Sequence, residues 1–155
     1  MKPLNLCLLD LDHTLIYGSY APSEKADILF QYSEYLKVYK RPFVNQFVAK
    51  LSQSYNDIIV FTTAKRDYAE KICQDLNINT KQLLTRNDCL SKNDSHYKIF
   101  KAEWGELYDN IHIIDDSPNV WLKTDKYESK IKFIVPKEYR GEPEDNELLL
   151  LINQY

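Results

Sequence analysis

Apolar residues in this chain fall into short dense runs separated by polar turns. Leu4 to Leu11 is apolar apart from Asn5 and Asp10. Such a run, without alternation, predicts a strand buried on both faces. Ile58–Phe61, Ile111–Ile114 and Ile131–Val135 read as further buried strands, and Leu83–Thr85 as a short one. Ile28–Tyr32 and Tyr35–Tyr39 are rich in aromatic and β-branched residues and flank Ser33-Glu34. They read as a hairpin, with a helix as the alternative because the period is ambiguous.

Helical spacing fills the gaps between the runs. Pro42 is expected to open a helix, where its missing N–H costs little. Val44, Val48, Leu51 and Tyr55 form one apolar stripe on that helix. Arg66–Leu76 reads as a second amphipathic helix with Ala69, Ile72, Cys73 and Leu76 inward. Ile99–Leu107 reads as a third, and Leu148–Ile152 as a closing helix packed on the sheet. Strands alternating with helices predict an α/β fold, a three-layer, mostly parallel sheet of Rossmann-like type with helices on both faces. In such folds ligands bind outside the carboxyl ends of the strands.

The 155 residues suit a single domain, residues 1–155, with no repeat or linker, and 44% hydrophobic against 28% charged residues is a globular balance. A net charge of −3 does not indicate a nucleic-acid partner. Cys7, Cys73 and Cys89 are odd in number and lack CxxC spacing, which favours free thiols over a disulfide framework or zinc. The N-terminal apolar run is short and ends in carboxylates, so neither a signal peptide nor a membrane contact is expected, and the location expected is the cytoplasm.

Three of the buried runs end in polar residues of one theme. The first gives Asp10-Leu11-Asp12-His13-Thr14, the second Thr62-Thr63, the third Asp115-Asp116-Ser117. Each alone has a plain structural reading. An Asp-x-Asp is usually a turn, Thr62 a helix cap, and Ser117-Pro118 a helix entry. Together, at the ends of successive strands, they crowd carboxylates that repel one another and resist burial. A hard divalent cation relieves that conflict, and an all-oxygen donor set selects Mg2+ over zinc. The candidate metal residues are Asp10, Asp12, Asp115 and Asp116. Such a site attracts phosphate. Asp10 is a candidate nucleophile, Asp12 a candidate acid and base, and Thr62, Thr63 and Lys98 are candidates to hold phosphate oxygens. Lys98 is expected in a loop before a helix, exposed, with Lys65 and Lys92 as rival cations.

The order DLDHT, FTT, lysine, IDDSP resembles the haloacid dehalogenase superfamily. Within it, the chain is similar to the DxDxT phosphatases related to the RNA polymerase II C-terminal-domain phosphatases and NLI-interacting-factor-like phosphatases. The similarity rests on Leu9–Leu15, Lys40-Arg41-Pro42, Ile58–Ala64 with Tyr68-Ala69, Tyr97-Lys98 and Ile114–Pro118. The resemblance implies that Asp10 is the nucleophile and Asp12 the general acid and base. It also implies a metal held by Asp10, the Asp12 backbone carbonyl and Asp116, with Asp115 orienting Lys98 or a metal-bound water. Asp116 stands where that branch commonly has Asn. The segment between Thr80 and His96 reads as too short for extra strands, and no stretch is long enough for a large cap domain. An uncapped site suits a phosphoprotein or another exposed phosphate.

Several residues have weaker claims. His13, His96, His112 and Arg86 read as neighbours or surface groups, and Trp104 and Trp121 as packing residues. The implied activity is an Mg2+-dependent phosphomonoesterase. The enzymatic alternatives are a nucleic-acid 3′-phosphatase or a sugar-phosphate phosphatase. The non-enzymatic alternative is a phospho-accepting receiver-like module, whose motif order differs from the one here.

Overall fold

The buried runs align side by side. In the computed structural model, which describes residues 2–21 and 25–155, the strands in chain order are β1 (Asn5–Leu9), β2 (Ile16–Ser19), β3 (Ile28–Gln31), β4 (Lys37–Lys40), β5 (Asp57–Phe61), β6 (Gln82–Leu84), β7 (Leu90–Lys92), β8 (Ser95–Tyr97), β9 (Asn110–Ile114) and β10 (Ile131–Ile134). The α-helices are α1 (Val44–Ser54), α2 (Arg66–Asp75), α3 (Ala102–Leu107) and α4 (Glu147–Ile152). The main sheet has the order β10-β9-β1-β5-β6, and every neighbouring pair is parallel.

The period of two along each strand divides the core into two layers. Leu6 and Leu8 of β1 point to one face with Ile59, Phe61, Ile111 and Ile113, covered by Trp104 and Tyr108. Cys7 and Leu9 point to the other with Ile58, Val60 and Ile114, covered by α1, α2 and α4 through residues such as Phe47, Leu51, Ile72 and Leu148. Each fully buried Leu or Phe contributes about 1.5–3 kcal/mol relative to exposure. That burial on both faces is why β1 tolerates no polar residue between Leu6 and Leu9. The three cysteines are free, two of them buried.

The expected hairpin forms as β3 and β4, with a wider turn closed by Tyr32 N–H to Leu36 O at 2.9 Å. Strand β2, which Gly18 disguises in the sequence, adds to the other edge of β4 as a three-stranded antiparallel sheet. Three sequence expectations need correction. Pro42 lies in a turn closed by Val44 N–H to Arg41 O rather than opening the helix, since Phe43 at the N-cap is left-handed (φ 68°) and α1 starts at Val44. The third helix begins at Ala102, because residues 98–101 are drawn out by a bridge between Lys98 and Trp121. The segment up to His96 does hold extra strands. β7 and β8 pair through the two-residue turn Asn93-Asp94, both left-handed (φ 51° and 62°), so the hairpin needs only eight residues.

Candidate active site

The parallel register places the three polar strand ends together. Leu9 pairs with Val60 on one side and Ile114 on the other, so Asp10 emerges between Phe61-Thr62 and Asp115. The Asp10 amide continues the ladder to the Ile114 carbonyl at 3.0 Å. The chain then wraps around one acceptor. The amides of Thr14, Leu15 and Ile16 all lie within 3.3 Å of the Leu11 carbonyl, and His13 takes a left-handed φ of 64°. This turn brings Thr14 back over Asp10. The Thr14 hydroxyl reaches Asp10 Oδ2 at 2.8 Å and Asp116 Oδ1 at 3.1 Å, and accepts the Asp116 amide at 3.1 Å.

Lys98 is not the exposed cation the sequence suggested. It is 2% exposed, with Nζ 2.9 Å from Asp10 Oδ1 and 2.6 Å from Asp115 Oδ2. Its backbone is fixed by Lys98 N–H to Val120 O and Leu122 N–H to Lys98 O, at 2.8 and 2.9 Å. The rings of Phe61 and Trp121 lie 6.0 and 5.7 Å from the ammonium. Asp115 is fully engaged: Oδ2 also accepts the Trp121 indole N–H at 3.0 Å, and Oδ1 accepts the Ser117 amide at 2.9 Å. The rival lysines Lys65 and Lys92 are exposed.

Oxygens of Asp10, Asp115 and Asp116 lie within 4.8 Å of one another. The Asp12 side chain is outside that group, with Oδ1 accepting the Tyr68 hydroxyl at 3.1 Å. Thr62 is buried beside Asp10, its hydroxyl oxygen accepting the Ala64 amide at 3.1 Å. Thr63 is half-buried, and its carbonyl accepts the Arg86 Nε–H at 2.9 Å. Arg86 is thus tied to the Thr62-Thr63 loop rather than free.

The electrostatics follow from burial. Desolvation pushes Asp10 upward, against the pull of Lys98. Burial, then the Asp10 charge, lifts Asp12 to about 6, and the same two causes lift Asp115 to about 6 against Lys98. Burial alone would lower Lys98, but the two carboxylates outweigh it and the net shift is upward. Three carboxylates around one ammonium leave an excess of negative charge. An added cation is what such a cluster favours.

Other residues shape the site without having been assigned roles by the sequence. Arg41 is fully buried and donates to both oxygens of Asp145 (2.7 and 3.0 Å), to the Thr14 carbonyl (3.0 Å) and to the Lys137 carbonyl (2.7 Å). It straps the Asp10–Thr14 loop to the segment before α4. Its signal was the Lys40-Arg41-Pro42 string. Thr14 was visible as the last residue of DLDHT. Tyr68 was visible only as part of the Tyr68-Ala69 resemblance and Trp121 only as a packing residue; neither bond, Tyr68 to Asp12 across 56 residues or Trp121 to Asp115 across six, was encoded in a local pattern. His13 faces the same strap, with Nδ1 2.9 Å from the Tyr139 carbonyl. His96 lies in β8 beside Ser91, and His112, midway along β9, meets the Tyr55 hydroxyl. No helix among the described residues is long and apolar enough to cross a membrane.

Known proteins are similar to this chain over most of its length. Residues 5–154 match the family described as NLI interacting factor-like phosphatase. CTD small phosphatase-like protein 2 of Dictyostelium discoideum is 32% identical over 120 residues, which is 72% of this chain and 20% of that protein. The probable C-terminal domain small phosphatase of the same organism is 28% identical over 126 residues, 77% of this chain and 40% of that protein. The chain therefore corresponds to two fifths or less of the length of these relatives. The structure of Fcp1, an essential RNA polymerase II CTD phosphatase, aligns with 98% of this chain and 49% of its own, at a TM-score of 0.59 and 20% identity, which shows a shared fold. With the family match running from the first strand to the last helix, through every loop of the site, the chain belongs to the NLI interacting factor-like phosphatases of the haloacid dehalogenase superfamily.

Proposed function

We propose that the chain is a magnesium-dependent phosphomonoester hydrolase that works through an aspartyl-phosphate on Asp10. The observation that carries the reading is the buried Lys98 ammonium, held between Asp10 and Asp115 where three strand ends meet. An Asp nucleophile and an anionic phosphate repel each other, and a cation fixed beside the nucleophile offsets that repulsion. Asp10 attacks phosphorus as the ester oxygen leaves. Asp12 gives the leaving oxygen its proton, then takes one from the water that cleaves the aspartyl-phosphate. An elevated Asp12, at about 6, suits both transfers. Thr62, Thr63 and Lys98 hold the phosphate oxygens.

The donor set fits magnesium: oxygen atoms only, in a cluster with excess negative charge. Asp10, the Asp12 backbone carbonyl and Asp116 would hold the ion, while Asp115, occupied by Lys98, Trp121 and Ser117, serves as the lysine anchor. When bound, the ion supplies positive charge to the phosphate oxygens. Among the described residues no large cap covers the site, and the substrate class it suits is a phosphate displayed on a protein or another accessible carrier.

The test is phosphate release from phosphopeptides, phosphosugars and 3′-phosphorylated oligonucleotides. EDTA should abolish release and magnesium should restore it. Acid quench should trap a phosphoenzyme in the native chain, and Asp10→Asn should eliminate both the phosphoenzyme and turnover. Near-normal turnover by Asp10→Asn would end the covalent reading.

A further inference from the structure

The acid and base assigned to Asp12 must present one oxygen to the ester oxygen and later to water. Asp12 sits in a tight turn, half-buried, just before the left-handed His13. Its carboxylate is gripped from across the site by a residue of another element. Tyr68, in the first turn of α2, is buried and donates its hydroxyl to Asp12 Oδ1 at 3.1 Å. We propose that Tyr68 is the positioning residue for Asp12, occupying Oδ1 so that Oδ2 carries the transferred proton, and that Gly18 exists to let the tyrosine hydroxyl reach it. This deepens the proposed function and rests on it.

Two observations besides the hydrogen bond support the assignment. The first is the fit at Gly18. A Cβ on Gly18 would lie 2.7 Å from the Tyr68 hydroxyl oxygen and 3.6 Å from Leu36 Cδ1. Among glycines only Gly141 has a positive φ, so Gly18 is not required by its backbone conformation. What glycine supplies there is room, and the room is taken by the hydroxyl that grips Asp12. The second is the fixing of the ring. Tyr68 is held edge-on by Tyr32 at 5.1 Å and by Phe30 at 6.5 Å. Tyr32 is anchored in turn by its hydroxyl to Asp67 Oδ2 at 2.6 Å. A donor that is itself immobilised selects one carboxylate orientation, and holding reacting groups in place is a large part of catalytic rate.

The chemistry assigned to Asp12 makes the role measurable. The proton on Oδ2 goes to the ester oxygen as its bond to phosphorus breaks and the Asp10–phosphorus bond forms. The Tyr68 proton stays where it is. A poor leaving group, the alkoxide of β-glycerophosphate, needs that proton. A good one, the phenolate of p-nitrophenyl phosphate, needs it far less.

Tyr68→Phe removes one oxygen and keeps the ring in its aromatic contacts. In rapid-quench single turnovers with magnesium, it should slow phosphoenzyme formation from β-glycerophosphate by about tenfold or more, a part of the general-acid contribution. Formation from p-nitrophenyl phosphate should change by less than about threefold, and KM for either ester should hold. Gly18→Ala, which keeps the hydroxyl but displaces it, should show the same selective loss. The double variant should be no worse than either single one, because both remove one interaction. Equal slowing on both esters, or native rates in Tyr68→Phe, overturns the assignment. Should Gly18→Ala fail to fold, Tyr68→Phe alone decides. A native chain that forms no phosphoenzyme from p-nitrophenyl phosphate refutes the hydrolase reading itself, a result distinct from normal phosphoenzyme chemistry in Tyr68→Phe.

Discussion

Two lysine–aspartate groups sit at opposite ends of the same sheet. At the carboxyl end, Lys98 binds Asp10 and Asp115 at 2.9 and 2.6 Å, with the lysine and Asp115 side chains 2% exposed. At the amino end, Lys81 lies 3.4 Å from Asp57 and 3.2 Å from the Tyr108 hydroxyl, with the lysine side chain 52% exposed. The residue types are nearly the same, and composition does not distinguish them. Burial does. Water solvates the Lys81 group, and such pairs contribute about 0–1 kcal/mol. Around Lys98, desolvation and attraction are both large, so the pair is not a simple source of stability. Under the proposed function, what it provides is a cation already in place before phosphate arrives.

The largest test of this contrast replaces each lysine by alanine. Lys98→Ala leaves two buried carboxylates without their cation. It should cost about 3–5 kcal/mol of stability. It should also lower kcat/KM by roughly a hundred- to a thousandfold, as the loss of a fixed donor to a developing anion does. Lys81→Ala should leave activity unchanged and stability within about 0.5 kcal/mol. Urea melts and kinetics of the two variants check this, and equal effects would erase the distinction between the two ends.

A smaller effect separates the ends by pH. Asp12 and Asp115 rise from an ordinary 3.8 to about 6, and Asp10 also rises, all chiefly by burial. A raised carboxyl binds its proton more tightly in the folded chain. Its stabilisation is therefore complete below about 3.8 and lost as pH climbs through about 6. Burial lowers His112, which pulls the other way, because its contribution is lost as pH falls through the same region. Comparison with Asp115→Asn isolates the carboxyl. In EDTA, the native chain should gain stability relative to Asp115→Asn as pH drops from 7 to 5, read as a changing difference in Tm. A constant difference would mean that burial does not perturb Asp115.

The sequence made the strand ends legible because an apolar run that stops at Asp10, Thr62 or Asp115 marks both a buried strand and its exit. It also supplied Lys98 as a candidate, through the Tyr97-Lys98 resemblance, but not its burial. That burial depends on one backbone bridge to Trp121, and no local pattern encodes a single bridge. The β7–β8 hairpin was missed because its strands are three residues each, too short to show alternation. Strand β2 was missed because Gly18 weakens the strand signal, although the glycine's own role is at Tyr68. Arg41 was legible as a motif residue but not as a strap, because its partner Asp145 lies 104 residues away.

The smallest effect concerns one hydrogen bond at each end. Trp121→Phe keeps an aromatic face near Lys98 and near Phe61, whose ring lies 5.4 Å from Trp121, but removes the indole N–H that donates to Asp115 Oδ2 at 3.0 Å. That oxygen retains Lys98, and the other keeps the Ser117 amide, so the carboxylate is weakened rather than orphaned. Losing a bond to a buried charged acceptor should cost about 1–2 kcal/mol. With Asp115 less constrained, Lys98 is held less firmly, and kcat should fall by a few-fold while KM holds. At the amino end, Tyr108→Phe removes a hydroxyl that donates to Asp57 Oδ2 at 2.6 Å, a shorter bond. Bond length alone would make that the costlier change. Burial predicts the reverse, because Asp57 is 31% exposed and water replaces the lost donor. Tyr108→Phe should therefore cost less than Trp121→Phe and leave kcat unaltered. The opposite order in denaturant melts would show that bond geometry, not burial, ranks the two ends of this sheet.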